Sequence, residues 1–149
     1  MPGIPFPPSA GAAPRYRVIA GTNQAANTEV TEVVPAGKWW WVIAVTVQMV
    51  QGATQTPLPA LQFDDGTNTF GFYPGSTTAM TAATTAQFSW AIGAPLTGLI
   101  GASPNIQSVG PLGEFIILPP GGHIKTLTAG IGANSDYGAP IYSVCEFTT

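Results

Sequence analysis

Few side chains in this sequence could do acid–base or nucleophilic chemistry. The chain has one histidine, His123, and one cysteine, Cys145, in 149 residues. A histidine-based triad would have to use His123. There is no Gly-x-Ser-x-Gly elbow, and Cys145 lies in a β-prone run, where cysteine is typically a small core residue. We therefore expect no catalytic residues and no enzyme; His123 clustered with Asp136 or Glu146 in a cleft would argue otherwise.

Candidate metal ligands are equally sparse. One histidine and one cysteine cannot build a transition-metal site that needs several such ligands. Asp64, Asp65 and Asn68 share one short turn, and oxygen ligands in a loop can bind Ca²⁺. Asp and Asn also favour tight turns for their geometry alone. We expect no metal and no cofactor, with calcium at this turn left as the alternative.

Charge is scarce throughout the sequence. Asp, Glu, Lys and Arg make up 7% of the chain, against about 25% in ordinary soluble domains. Binding to nucleic acid or to an anionic membrane needs clustered Lys and Arg, and the sequence has no such cluster, so we expect neither partner. A neutral surface invites association. We expect other subunits to cover it; a secreted domain with a hydroxyl-rich surface is the alternative.

The cellular compartment follows from cysteine usage and from the first residues. A single cysteine excludes an intrachain disulfide, which fits assembly in a reducing cytoplasm. Residues 1–14 contain no Lys or Arg and are interrupted by prolines, so they do not match a signal peptide. The longest apolar stretch, residues 39–50, is shorter than the roughly 20 residues of a membrane-spanning helix.

The chain divides into an arm and one domain. Residues 1–14, MPGIPFPPSAGAAP, are rich in proline, which favours an extended chain and excludes helix. Residues 15–149 have the length of a single domain. The arm could lie on its own domain or reach a neighbour. We expect the second, with Ile4, Phe6, Pro7 and Pro8 as interface residues.

Residues 15–149 predict an all-β fold. Short β-prone runs alternate with Gly, Pro, Asn and Asp, and no 3.6-residue periodicity appears. Such a pattern is typical of a sandwich or barrel. The predicted strands are residues 16–20, 28–34, 39–50, 61–64, 69–73, 84–92, 114–118, 123–131 and 141–147, with a further short one possible at 106–109.

The strongest predicted strand, residues 39–50, begins with three tryptophans. Its odd positions are all apolar, which predicts that Trp39 and Trp41 face the core. Trp40 would then face outward, where a large aromatic needs a cover. Aromatics are enriched at interface cores, so we predict Trp40 as an intersubunit anchor. A second core layer, cover by the arm, or a sugar-stacking platform are the alternatives.

Two similar corners occur far apart in the chain. Residues 32–39 and 116–123 each read as a hydrophobic strand end, a Pro-x-Gly turn and a new strand. Proline ends ladder pairing and glycine accepts the positive φ of a tight turn. Paired corners fit the two halves of a jelly roll, and they also fit other hairpin-rich folds.

These segments carry a resemblance to a known family. Residues 34–39, VPAGKW, running into a long amphipathic strand, and residues 134–146, with a late Asn-Ser-Asp-Tyr-Gly turn and a final strand ending in Glu146, resemble small β-sandwich virion proteins of tailed bacteriophages. These include head decoration (cement) proteins and some tail-associated modules. The pattern covers about residues 28–50 and 113–147. The low charge and the tryptophan triplet depart from it.

The resemblance implies a jelly-roll or tulip-like antiparallel β-sandwich, often a homotrimer, that sits on the capsid lattice. Its partners would be the major capsid protein and other copies of itself, and its location the virion, assembled in the host cytoplasm. The alternative is a tail- or fibre-associated module that binds host glycans, which exposed Trp40 or Tyr73 in a shallow groove would favour.

Overall fold

The computed structural model describes residues 13–52, 56–102 and 104–148. Within these ranges the chain forms eleven strands and no helix. The strands are β1 Arg15–Ala20, β2 Thr31–Val33, β3 Lys38–Val50, β4 Leu58–Asp64, β5 Thr69–Pro74, β6 Thr85–Ile92, β7 Ile106–Leu112, β8 Ile117–Leu118, β9 His123–Ala129, β10 Asp136–Tyr137 and β11 Ile141–Thr148.

The strands form two sheets with the winding of a jelly roll. The first sheet has the order β1-β11-β3-β6-β7, with β8 and β10 also paired to β3; the second has the order β2-β9-β4-β5. Eight strands remain when the edge strand β7 and the short strands β8 and β10 are left out. Numbered 1 to 8 along the chain, these eight strands have the order 1-8-3-6 in the first sheet and 2-7-4-5 in the second. Early and late strands interleave in both sheets, as two Greek keys require. The prediction of an all-β sandwich is therefore confirmed.

One pairing departs from the antiparallel expectation. Strands β6 and β7 pair in parallel from Ala86 with Ile106 to Ile92 with Leu112. A parallel pair needs a long connection, and residues 93–105 provide it. Part of this connection returns along the far edge of β7, where the backbones of Ile100 and Gln107 exchange hydrogen bonds of 2.9 and 2.8 Å.

The two edges of the first sheet therefore differ. The far edge of β7 is capped, whereas β1 pairs on one side with β11 and no described residue pairs with its other side. An unpaired strand edge presents free N–H and C=O groups. Among the described residues, β1 is therefore the long strand at the border of the first sheet whose outer side has no partner.

The core lies between the sheets and is rich in aromatic residues. Phe63, Phe88, Trp90 and Tyr142 are fully buried. The Trp90 indole N–H is 3.1 Å from the carbonyl oxygens of both Tyr73 and Pro74, which ties β6 to the end of β5. The alternation predicted for residues 84–92 is confirmed at Ala86, Phe88 and Trp90, which all face inward.

A β-bulge divides the long strand β3. On β11, Ser143 is opposite Ala44 and the next residue, Val144, is opposite Val42, so Ile43 is an extra residue. An extra residue reverses the side on which following side chains lie. Odd positions face the core after the bulge, as predicted, and even positions face it before the bulge.

This reversal corrects the prediction for the tryptophan triplet. Trp40 is 2% exposed and faces the core, while Trp39 and Trp41 are half-buried on the outer side. The outward orientation predicted for Trp40, on which its role as an intersubunit anchor was based, is wrong. The period-two pattern was applied across a strand whose register changes at Ile43.

The two Pro-x-Gly corners meet in space. Val34 donates its backbone N–H to the carbonyl of Gly122 at 2.8 Å, and Gly121 donates to the carbonyl of Val34 at 2.9 Å. Gly37 and Gly121 have φ values of 71° and 81°, the left-handed conformation expected for these turns. The corners close one end of the sandwich by binding each other.

Candidate interaction surface

The outer side of the first sheet forms a broad surface without charge, here called the neutral face. Its residues are the outward-facing members of five strands. They are Tyr16, Val18 and Ala20 on β1; Ile141, Ser143, Cys145 and Phe147 on β11; Trp39, Trp41, Ala44, Thr46, Gln48 and Val50 on β3; Thr85, Gln87, Ser89 and Ala91 on β6; and Gln107, Val109 and Pro111 on β7.

None of these residues is Asp, Glu, Lys, Arg or His. The acidic side chains that the structure describes near this face lie at its rim, with Asp136 on β10 opposite Val50 and Glu114 in the turn before β8. Several large apolar side chains are exposed, among them Val18 at 63% and Ile141 at 47%. Depletion of charge together with exposed apolar and aromatic groups is the composition of an interface core.

The size of the neutral face also suits an interface. Five strands about 4.8 Å apart and about eight residues long at ~3.3 Å per residue cover on the order of 600 Å². A standard interface buries about 800 Å² on each partner. The face is large enough to supply most of one such contact.

Aromatic rings gather at one end of the neutral face. Tyr16 and Trp41 lie on either side of Cys145, in the same row across β1, β11 and β3. Phe115 stacks on Trp41, with ring centroids 6.4 Å apart and planes 16° apart, and is 71% exposed. Cys145 is half-buried on this outer side, so the expectation of a core cysteine is wrong.

Beneath this end, on the inner side of the sheet, an ion cluster joins three strands. Glu146 on β11 lies 3.2 Å from the Lys38 ammonium and 3.8 Å from the Arg17 guanidinium. Trp40 donates its indole N–H to Glu146 at 3.3 Å. Burial raises the pKa of Glu146, but the bonds from Trp40 and Lys38 and the nearby cations outweigh it, so the net pKa is lowered. Trp40 is thus a structural residue that satisfies a buried carboxylate.

The remaining predicted interface residues, Ile4, Phe6, Pro7 and Pro8, lie outside the described residues. The division into an arm at residues 1–14 and a domain at 15–149 stays a prediction for the same reason.

The outer side of the second sheet differs from the neutral face because it carries an ion network. The Asp64 carboxylate lies 2.5 Å from His123 Nδ1 and 2.6 Å from Lys125 Nζ. Its Oδ1 also accepts the Gly66 N–H at 2.9 Å. Burial raises the pKa of Asp64, but the bonds from Lys125, His123 and Gly66 outweigh it and lower the pKa to about 2.

These contacts bear on the enzymatic alternative. His123 pairs with Asp64 rather than with Asp136 or Glu146. Asp64 lies at the end of β4 opposite His123 on β9, so the pair joins neighbouring strands on a sheet surface. Among the residues that the structure describes, no serine or cysteine side chain bonds to this pair. The arrangement suits a structural clamp between the Asp64–Asn68 turn and the second corner.

The carboxylate oxygens of the Asp64–Asn68 turn accept hydrogen bonds from the turn itself. Asp65 Oδ1 accepts the backbone N–H groups of Thr67 at 2.9 Å and Asn68 at 2.7 Å, which lowers the pKa of Asp65. These bonds support turn geometry as the reason for its acidic residues. Nowhere in residues 13–52, 56–102 and 104–148 do three His, Cys, Asp or Glu side chains gather as a metal site.

Sequence reasoning missed a second carboxylate cluster, around the half-buried Glu29. Glu29 accepts hydrogen bonds from the hydroxyls of Thr126 and Thr128 at 2.5 and 2.9 Å and from the Thr128 N–H at 2.7 Å. Thr128 in turn bonds the Tyr137 hydroxyl at 2.6 Å. The sequence signal for this cluster is the pair Thr126 and Thr128, two polar residues on the inward side of a predicted strand. The cluster fastens the segment before β2 onto β9 and β10.

In the part of the chain that the structure describes, no helix is long and apolar enough to cross a bilayer.

Comparison with known proteins gives little. No protein-family model and no curated protein matches the sequence. Among solved structures, the chain is similar to one in the structure of infectious bursal disease virus Gt strain, with a TM-score of 0.36 and 9% identity over 99% of this chain and 38% of that one. The chain is also similar to one in the structure of infectious bursal disease virus Gx strain, with a TM-score of 0.33 and 12% identity over 99% of this chain and 35% of that one. The chain thus spans little more than a third of the viral chains it matches.

Proposed function

We propose that this protein is a virion structural protein of the head decoration type, which binds capsid subunits and its own copies through the neutral face. The single observation behind the proposal is that the outward residues of β1, β11, β3, β6 and β7 include no charge. Jelly rolls also occur in lectins and cupins, so the fold alone does not choose the function. The surface supports the proposal, because a large uncharged, partly apolar face is costly for a lone protein and useful in an assembly.

The neutral face acts by burial. Removing apolar area from water stabilises a contact by roughly 25 cal/mol per Å², before the cost of ordering. A neutral face has no ionic groups to desolvate, so the usual penalty for burying charge is absent. On the second sheet, by contrast, burial would have to desolvate the ion network of Asp64, His123 and Lys125.

A charge placed on each face tests the proposal. Val18→Lys puts an ammonium on the neutral face, and Leu127→Lys puts one on the outer side of the second sheet, where Leu127 is 49% exposed. We expect Val18→Lys to lower the number of copies bound to purified heads about tenfold, and Leu127→Lys to leave it unchanged. Equal occupancy of both variants, measured by cryo-electron microscopy of the heads, contradicts the assignment of the face.

A tail- or fibre-associated glycan-binding module is the second candidate. Trp40 is buried and Tyr73 is half-buried, so neither offers an open stacking platform. The exposed ring that favours this candidate is Phe115, stacked on Trp41. Binding to a glycan array that is lost in Phe115→Ala, together with normal heads lacking the protein, would favour the glycan function over decoration.

A further inference from the structure

At the aromatic end of the neutral face, the strand register places a small residue between two aromatic ones, an arrangement here called the aromatic trough. Tyr16 and Trp41 form its walls, and the smaller Cys145 lies between them on the floor. Two strand spacings separate the walls, about 9.6 Å between backbones. Phe115 extends the Trp41 wall by stacking on it.

The trough also offers hydrogen-bond donors. Among the described residues, no partner accepts a hydrogen bond from the Trp39 indole N–H or from the Tyr16 hydroxyl, and both side chains are at least partly exposed. The Trp41 indole, in contrast, is fixed by donating to the carbonyl of Glu114 at 2.9 Å. Rigid aromatic walls with free donors match one class of ligand, the polyproline II segment, whose rings stack and whose carbonyls have no internal partner.

The chain itself contains such a segment. Residues 2–8, PGIPFPP, include two overlapping Pro-x-x-Pro motifs, at 2–5 and 5–8. The segment leads into β1, the strand that supplies Tyr16. Pro14 fixes its own φ and favours an extended Ala13, so the chain enters β1 along the strand direction. A stretch of six residues in an extended conformation spans about 19 Å, which is long enough to reach from one copy to a neighbouring one.

We propose that residues 2–8 of one copy bind in the aromatic trough of a neighbouring copy. This inference deepens the proposed function, on which it rests, because it names a second copy as the partner at one end of the neutral face. Each copy gives one arm and receives one. Such a head-to-tail contact produces a closed ring when its rotation closes, and the expected homotrimer is one such ring.

Site-specific photo-crosslinking tests the contact in the full chain. Phe6→p-benzoylphenylalanine places a photoreactive ring in the middle of residues 2–8. We expect its crosslinks to map by mass spectrometry to peptides containing Tyr16, Trp41 or Phe115. Phe115→Lys should lower the yield about tenfold, as for the loss of an aromatic anchor. Phe72→Lys, which charges an exposed aromatic on the second sheet, is the matched control and should leave the yield unchanged.

Co-expression of two differently tagged chains identifies the donor of the arm. One chain carries the photoreactive residue at position 6 together with Phe115→Lys, and the other carries Phe6→Ala with an intact trough. Crosslinks between the two tags support the proposal. Crosslinks confined to single chains, crosslinks outside the trough, or none at all overturn it. None of these readings requires heads, so a positive result without head binding would refute the decoration function alone.

Discussion

At the scale of single residues, Asp64 is the acid with the clearest role. Its three bonds, from Lys125, His123 and Gly66, favour the ionised form and hold its pKa at about 2, below the usual 3.8. A carboxyl with a lowered folded-state pKa stabilises the fold above its unfolded value, and this stabilisation is lost as pH falls through the folded value.

We therefore expect the free energy of unfolding to fall by about 1 to 2 kcal/mol between pH about 4 and about 2 because of Asp64 alone, given ~1.4 kcal/mol per pKa unit and partial solvent screening. Asp64→Asn should remove this part of the pH dependence in denaturant titrations. Asp136→Asn, which changes an exposed acid on β10, is the control. Identical acid profiles for the two variants would contradict the role given to Asp64.

Trp40 provides the second prediction at this scale. Truncation of a buried tryptophan typically costs ~3–5 kcal/mol, and here it also removes a donor from the Glu146 carboxylate. We expect Trp40→Ala to lower the free energy of unfolding by about that amount. Phe115→Ala, at an exposed aromatic, should cost less than about 1 kcal/mol. Comparable losses in urea denaturation would mean that Trp40 is not a core residue.

At the scale of elements, the bulge in β3 decides which tryptophans reach the core. Deleting Ile43 removes the extra residue and forces one half of the strand to present the wrong side. We expect this deletion to abolish cooperative unfolding, whereas Ile43→Val, which keeps the residue count, should cost at most about 1.5 kcal/mol. Near-ultraviolet circular dichroism, dominated by the tryptophans, measures both. A folded deletion variant would show that the bulge is dispensable.

The same bulge marks the limit of what the sequence could predict. Strand positions and the inward sides of β4 and β6 follow from alternation and turn residues, so Leu61, Phe63 and Phe88 were placed correctly. Alternation does not reveal an extra residue when both neighbours are apolar, as Val42 and Ala44 are. The parallel β6–β7 pair and the Asp64–His123 contact depend on tertiary winding, which period-two patterns do not contain.

The sequence predicted the shortage of charge in the whole chain but not the sheet on which the neutral face lies. From the low total charge we expected other subunits to cover the surface, and this stays a prediction. The side on which the few charges lie became clear only from the sheet order, which puts Lys125 and Asp64 on one outer side and leaves the five long strands of the other side without an outward charge, with Asp136 at the rim.

At the scale of the whole molecule, the missing charge makes a prediction about salt. Association through ion pairs weakens as salt screens them, over a Debye length of about 10 Å at 0.1 M and ~3 Å at 1 M. We expect self-association, followed by sedimentation velocity, to be insensitive to added NaCl and to be weakened by Val18→Lys. Dissociation on raising the salt concentration would instead implicate the ion pairs of Lys125 or Arg17.

The two edges of the first sheet differ, and this difference bears on aggregation by strand addition. Strand addition needs an exposed row of main-chain groups on each joining partner. Of the two long border strands that the structure describes in this sheet, β1 offers such a row, whereas residues 97–100 lie along the outer side of β7. Crowded copies can therefore pair through β1, and the β7 borders of the joined sheet do not favour the addition of a third chain.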